Sequence, residues 1–339
     1  MRPTKVLTLI LIVGLALGLT ATDALAGADR LGTAGVQQLR IPPTARGASL
    51  GGSVVSDAAG LEAIYWNPAG LAAIERSEAM LSYSSYIADM SFYMFGAGFN
   101  TDYGTFGFSF RGLDVGEEIE VTTEAQPDGT GQNFNPFLMI AGVTYANQFT
   151  EQISVGASAS VVHDEIHEVS GSTLSFDFGI QYKTPFQGLG LGIVFKNFGP
   201  GMNYDGAGLE VKEKITGDDP GAQPRPVRFQ VATADQPTYV QFGVSYDAWS
   251  NDMHLVKVQP TYRSNGYSAD EFTMGLEYSF QNQLFVRTGL MTADQDEYMN
   301  DFSFGAGLKL GDFTFDYAYG NDANDFLGTK NWYTLKFAF

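Results

Sequence analysis

From about Met80 to the C-terminus, apolar residues alternate with small or polar ones at a period of two. Leu174, Phe176, Phe178, Ile180 and Tyr182 share one face, and Ser175, Asp177, Gly179, Gln181 and Lys183 share the other. Phe272, Met274, Leu276, Tyr278 and Phe280 alternate with Thr273, Gly275, Glu277 and Ser279. The last segment points Tyr333, Leu335, Phe337 and Phe339 one way and Thr334, Lys336 and Ala338 the other. Segments of roughly ten residues with this period have the length and pattern of membrane-crossing strands.

The pattern predicts fourteen strands, at 78–87, 91–100, 103–113, 135–147, 152–164, 172–184, 187–198, 237–248, 253–263, 271–280, 283–291, 301–310, 312–320 and 331–339. Short turns, such as Gln281-Asn282 and Gly311, alternate with longer polar connections, notably 114–134 and 199–236. That rhythm predicts an all-β, antiparallel transmembrane barrel over 76–339, with short turns in the periplasm and long loops outside. One further candidate strand, Val227 to Val231, lies in the longest loop; counting it in the wall would break the even number, so it is placed above the membrane.

Before the strands the pattern changes. Residues 1–26 read as a signal peptide, with Arg2 and Lys5 ahead of an apolar run from Val6 to Leu19 and an Ala24-Leu25-Ala26 cleavage site. Residues 27–75 are rich in Gly and Ala and contain the turn Asn67-Pro68-Ala69-Gly70. Asn67 should be extended because it precedes proline, and Gly70 should allow backbone that other residues resist. A compact small-residue segment followed only by strands predicts a plug inside the barrel.

A formal charge of −19 argues against nucleic-acid partners, which require a basic footprint. The absence of cysteine excludes disulfides, metal-thiolate sites and cysteine nucleophiles. Mean hydropathy is near zero, as expected where lumen and lipid faces alternate. These features and the signal peptide place the mature chain in an outer membrane, in contact with its lipid and lipopolysaccharide.

Little in the chain points to catalysis. His163-Asp164-Glu165-Ile166-His167 has the histidine spacing of a zinc-protease helix, but Asp164 occupies the position of the glutamate. On a strand the two histidines would lie roughly 13 Å apart, so no metal is assigned. Asp294, Asp296, Glu297 and Asp301 lack the ordered ligand spacing of a calcium loop, and they and Asp218-Asp219 read as solvated acidic loops. No Gly-x-Ser-x-Gly elbow occurs, and no cofactor is implied. The charges on the small face of the strands say more: Arg111, Asp177, Lys183, Asp247, Glu277, Arg287, Lys309, Asp316 and Lys336. Their mixed signs suggest lumen ion pairs rather than an ion-selective channel. Arg40 and Arg46 are candidate partners for the acids.

The stretch from Leu39 to Gly52, LRIPPTARGASLGG, followed by AIYWNPAGLA from Ala63 to Ala72, resembles the opening of the PorV/PorQ family of outer-membrane proteins, within the wider FadL-like group of plugged fourteen-stranded barrels. Arg40, Ile41, Pro42, Arg46, Gly51 and Gly52 carry the PorV/PorQ likeness; Asn67, Pro68, Ala69 and Gly70 carry the FadL-group likeness. The terminal Phe339, in phase with Tyr333, Leu335 and Phe337, resembles the signal read by the outer-membrane assembly machinery. The PorV/PorQ resemblance implies a non-catalytic component of type IX protein secretion that docks or shuttles cargo, with secretion-system proteins or cargo as partners. The FadL resemblance implies the alternative, passage of fatty acids or other hydrophobic small molecules. The shorter exterior loops of this chain favour the first expectation.

Overall fold

A computed structural model describes residues 30, 32–186, 188–213, 223–293, 301–321 and 328–339. The signal peptide, Asp218-Asp219 and Asp294, Asp296 and Glu297 lie outside the described residues. The wall is made of Glu78–Ser85 (β1), Ser91–Thr101 (β2), Gly104–Asp114 (β3), Phe137–Gln148 (β4), Ile153–Ile166 (β5), Val169–Lys183 (β6) and Leu189–Phe198 (β7). It continues through Tyr239–Ser250 (β8), His254–Asn265 (β9), Glu271–Phe280 (β10), Leu284–Ala293 (β11), Asp301–Leu310 (β12), Phe313–Asn321 (β13) and Thr329–Ala338 (β14). Sequential strands pair antiparallel, and β1 pairs with β14 from Glu78↔Ala338 to Ser85↔Asn331, closing a 14-strand barrel. Closure leaves no strand edge for the bilayer to desolvate. No described helix is long and apolar enough to cross a membrane; the strands do that.

The alternation sorts the side chains as expected. Leu81, Phe95, Phe108, Leu174, Phe178, Phe272, Phe304 and Leu335 are exposed on the outer face, where lipid covers them. Their neighbours Ser82, Ser109, Ser175, Asp177, Thr273, Ser303 and Thr334 are buried on the inner face. In the tight turn after Phe280, Gln281 and Asn282 both have positive φ, 51° and 53°, and the Gln283 N–H donates to the Phe280 carbonyl at 3.0 Å before Leu284 resumes the pairing. Arg225–Arg228 pairs with Glu210–Glu213 in a two-stranded sheet apart from the wall. This is the extra strand expected at Val227 to Val231, beginning two residues earlier and ending three residues earlier.

β7 is the irregular strand. Its pairing with β6 passes from Phe176↔Phe198 to Phe178↔Phe195, so Lys196 and Asn197 together face Asp177. Both are buried, and Asn197 is held at φ 58° while its N–H donates to Asp177. Beyond the bulge the backbone ladder ends, and the Gln236 side-chain amide donates to the carbonyls of Leu174 and Pro200, both at 2.7 Å.

The described residues before β1 form no long element. They contain two one-turn helices, Ala45–Ser49 (α1) and Ala63–Trp66 (α2), and 3-10 turns at Gln37–Arg40, Gly60–Glu62 and Pro68–Ala73. α1 ends at Gly51 and Gly52, whose φ values of 63° and 84° suit glycine at a helix C-terminus. Residues Thr44 to Leu71 are almost all buried, against the small inner face of the barrel. Leu61, Ile64, Leu71 and Ile74 pack with Met80, Met94 and Ala146 in an apolar cluster. Each such buried aliphatic side chain is worth about 1.5–3 kcal/mol over leaving it in water.

Candidate functional site

Among the described residues, buried charged side chains gather in the lumen, where the N-terminal segment contributes Arg40, Arg46, Asp57 and Glu62. Arg46, on α1, is the hub. Its guanidinium donates to Asp57 at 2.7 Å, to Glu62 at 2.6 Å and to Glu277 of β10 at 3.1 Å. Glu277 also accepts from Arg287 of β11 at 2.5 Å, and Arg287 donates to Asp316 of β13 at 2.7 Å. Lys336 of β14 lies 3.5 Å from Asp316, and Lys257 of β9 donates to Asp57 at 2.8 Å. One chain of alternating charges thus runs around five strands and passes through the segment. Such a network is stable only because each buried charge has an opposite neighbour; the same groups unpaired would cost several kcal/mol each.

Nearer the exterior, Arg40 donates to Glu271 at 2.7 Å and to Ser268 at 3.0 Å, and Arg263 donates to the other Glu271 oxygen at 2.7 Å. On the opposite wall Lys196 donates to Asp177 and to the Tyr65 carbonyl, while Arg111 lies over the Tyr65 ring at 5.5 Å. Toward the periplasm the lumen widens into a cavity of about 620 Å³ lined by Arg46, Asp57, Glu62, Glu78, Lys309 and Lys336, among others.

The turn at 67–70 works as a peg. Asn67 is extended, at φ −158° and ψ 105°, and its side-chain oxygen accepts from the Ala69 N–H at 3.2 Å. Its amide nitrogen donates to the Val55 carbonyl at 2.7 Å and to the Ile180 carbonyl of β6 at 3.2 Å. Pro68 opens the following 3-10 turn, where its missing N–H costs nothing. Gly70 corrects the expectation. Its φ is not positive; a Cβ there would lie 1.9 Å from the Ala58 carbonyl oxygen, so the demand is for space and not for unusual backbone.

The other expected residues divide. Ile41 is buried, and the Pro42 carbonyl accepts from the Trp332 indole at 2.8 Å. Gly51 lies against the Gly289 backbone, where a Cβ on Gly289 would come within 2.2 Å of the Gly51 nitrogen. Lys183 does not join the lumen group: it is the last residue of β6 and is exposed at the periplasmic end, beyond the depth the segment fills. Lys309 is exposed too, but lines the periplasmic cavity. Tyr333, Leu335, Phe337 and Phe339 face outward, with Phe337 stacked between Phe313 at 4.6 Å and Phe339 at 5.8 Å. The Phe339 N–H donates to the Ser77 carbonyl at 2.8 Å, fastening the chain end beside β1. His163 meets Ser172 at 2.8 Å on the wall, whereas His167 sits in the following turn beside Phe134.

Sequence reasoning missed Asp57, Glu62, Lys196, Lys257, Arg263 and Glu271. Lys196, Lys257 and Arg263 were legible from phase alone, since each falls on the face opposite its strand's apolar residues. Asp57 and Glu62 carry no such signal, because nothing in an aperiodic segment says which residues turn inward.

Comparison with known proteins places this geometry in a fold group. No protein-family model matches the sequence, and no curated protein matches it either. Solved structures do match. The CymD monoaromatic hydrocarbon channel aligns with a TM-score of 0.55 at 12% identity, over 88% of this chain and 97% of the channel. The Pseudomonas putida toluene transporter TodX aligns with a TM-score of 0.55 at 14% identity, over 86% of this chain and 95% of the transporter. The Ralstonia pickettii toluene transporter TbuX gives 0.51 at 13% identity, over 88% and 98%. The chain therefore has a FadL-like barrel fold of outer-membrane type.

Proposed function

We propose that this chain is a non-catalytic outer-membrane barrel that admits a small hydrophobic compound, of monoaromatic hydrocarbon size, with residues 27–75 acting as the plug that closes its lumen. The observation that carries this reading is an apolar cluster at the exterior mouth. Val36, Leu39, Ile140, Val162 and Met202 are buried together there, with Tyr204 and Ala234 against them, apart from the apolar cluster that seats residues 50–74 deeper in the lumen. Val36 is held at φ 55°, a costly conformation for a β-branched residue. A hydrophobic molecule that took the place of the Val36 side chain would relieve that strain while keeping the apolar contacts. The likeness to hydrocarbon channels and toluene transporters supports the same direction.

The test is uptake of labelled toluene by cells with an intact lipopolysaccharide leaflet that express the chain or its Leu39→Glu variant. Saturable uptake by the parent and its loss in the variant is the expected result. Uptake no faster than in cells without the chain refutes the reading.

A second reading, a docking component of type IX secretion, is favoured by the exterior strand pair Glu210–Glu213 and Arg225–Arg228, where Val211 and the following Phe229 and Val231 are exposed. The residues that carry the PorV/PorQ likeness weigh against it, because Arg40, Pro42, Arg46 and Gly51 are engaged with the wall or within the segment and present nothing to an outside partner. Secretion of a cargo protein that fails when the strand pair is deleted, with toluene uptake absent throughout, would reverse the order.

A further inference from the structure

The inner faces of β9 and β10 form a polar ladder along the length of the lumen. Facing pairs on that side are Lys257 and Glu277, Gln259 and Gly275, Thr261 and Thr273, and Arg263 and Glu271. The six-residue step from Lys257 to Arg263 spans about 20 Å. At its lower end the ladder meets the periplasmic cavity of about 620 Å³, which Lys257 and Glu277 line with Arg46 and Asp57. At its upper end Arg263, Glu271 and Arg40 join beneath Ser268.

On the β9 side the middle of the ladder is polar without being paired, although Thr273 on β10 accepts from the Ser53 hydroxyl at 2.6 Å. Gln259 is fully buried, yet neither its amide oxygen nor its amide nitrogen has a hydrogen-bond partner. The same holds for the Thr261 hydroxyl and for the Ser56 hydroxyl on the facing segment. These belong to one patch: Gly243 is the cross-strand partner of Thr261, and a Cβ on it would lie 3.1 Å from the Thr261 hydroxyl and 3.3 Å from the Ser56 nitrogen. Unpartnered buried groups cost about 1–3 kcal/mol each, and a cluster of them is where a protein holds bridging water.

The opposite side of the same segment is built differently. Leu61, Ile64, Leu71 and Ile74 enter recesses left by Gly98 and Gly107 on β2 and β3, and Pro68 fits against Gly156 on β5. The segment therefore has one dry, close-packed face and one polar, incompletely paired face.

We propose that the polar face is an aqueous path. Water and small hydrophilic solutes, including ions, pass between the exterior and the periplasmic cavity along the β9–β10 ladder when residues 46–57 move slightly off it, while the dry face stays seated on β1–β5. Charges of both signs line the route, so it discriminates little between cations and anions. The route is separate from the apolar mouth formed around Val36.

The test uses two engineered disulfides in a chain that has no cysteine of its own. Ser53→Cys with Thr273→Cys bridges the polar face, where the two hydroxyl oxygens now lie 2.6 Å apart. Leu61→Cys with Gly96→Cys bridges the dry face, where a Cβ on Gly96 would lie 3.8 Å from the Leu61 Cβ, inside the range disulfides require. Potassium chloride conductance in planar bilayers is recorded for each variant, oxidised and then reduced, so every molecule is its own folding control. The expected result is a loss of about tenfold or more on oxidising the polar-face pair, reversed by reductant, with no change for the dry-face pair. The proposal is overturned by a parent protein without conductance above the bare bilayer. It is equally overturned by a polar-face bridge without effect, or by a dry-face bridge that blocks as well.

Discussion

Replacing Arg46 with methionine separates the docking of the N-terminal segment from the integrity of the wall. Methionine keeps an unbranched apolar stem and removes the guanidinium. Arg46 contacts three carboxylates, but they do not suffer equally. Glu277 keeps Arg287 at 2.5 Å, and Asp57 keeps Lys257 at 2.8 Å. Glu62 loses the one cation bonded to it among the described residues, and it is only 2% exposed, with its second oxygen already unpartnered. An uncompensated buried charge of this kind costs about 3–5 kcal/mol. Taking the lower end, about 3 kcal/mol, amide protons that exchange only when the segment lifts should exchange roughly 150-fold faster. The Gly52 N–H, bonded to the Gly47 carbonyl at 2.9 Å, and the Asn67 N–H, bonded to the Ala63 carbonyl at 3.0 Å, are suitable reporters. Wall amides on β1 to β3 should change little, because the ladder hydrogen bonds do not involve Arg46. Adding Glu62→Gln removes the orphaned charge and should recover most of the loss. If Arg46→Met left segment exchange unchanged, or if the double variant were no better than the single one, the assignment of Glu62 as the dependent partner would be wrong.

Three further outcomes follow from particular contacts. Gly70→Ala should destabilise segment docking by about 1–3 kcal/mol through its clash with the Ala58 carbonyl, measured by hydrogen exchange, whereas Gly112→Ala, with its nearest neighbour at 3.7 Å, should be nearly silent. Gln236→Ala strips the side-chain donor from the Leu174 and Pro200 carbonyls where the β6–β7 ladder stops, and should lower the unfolding temperature at a cost of about 1–3 kcal/mol; an unchanged temperature would mean that water replaces it freely. Deleting Phe339, which stacks on Phe337 and bonds to Ser77, should reduce the heat-modifiable barrel recovered from the membrane far more than Phe149→Ala, an equally aromatic but 78% exposed turn residue.

What the sequence determined by itself was the wall. A period of two forces successive side chains to opposite faces, and a bilayer accepts only strands whose edges are closed, so the alternation from Leu174 to Tyr182 or from Phe272 to Phe280 sufficed to set strand, facing and even count. The strands lie within a few residues of where the pattern put them, and the chain turns at Gln281-Asn282, where the alternation breaks. Inward charges were legible for the same reason: Asp177, Glu277, Arg287 and Asp316 all reach the lumen, and Lys183 failed only because phase says nothing about depth. The interior belonged to the tertiary structure. Residues 32–75 have no repeating pattern, so nothing local distinguished Asp57 and Glu62 from other acids before the barrel brought Arg46 and Lys257 beside them. Gly70 shows the limit most plainly: its sequence context suggested a special backbone angle, and only the packed lumen revealed that the Ala58 carbonyl occupies the space a side chain would need.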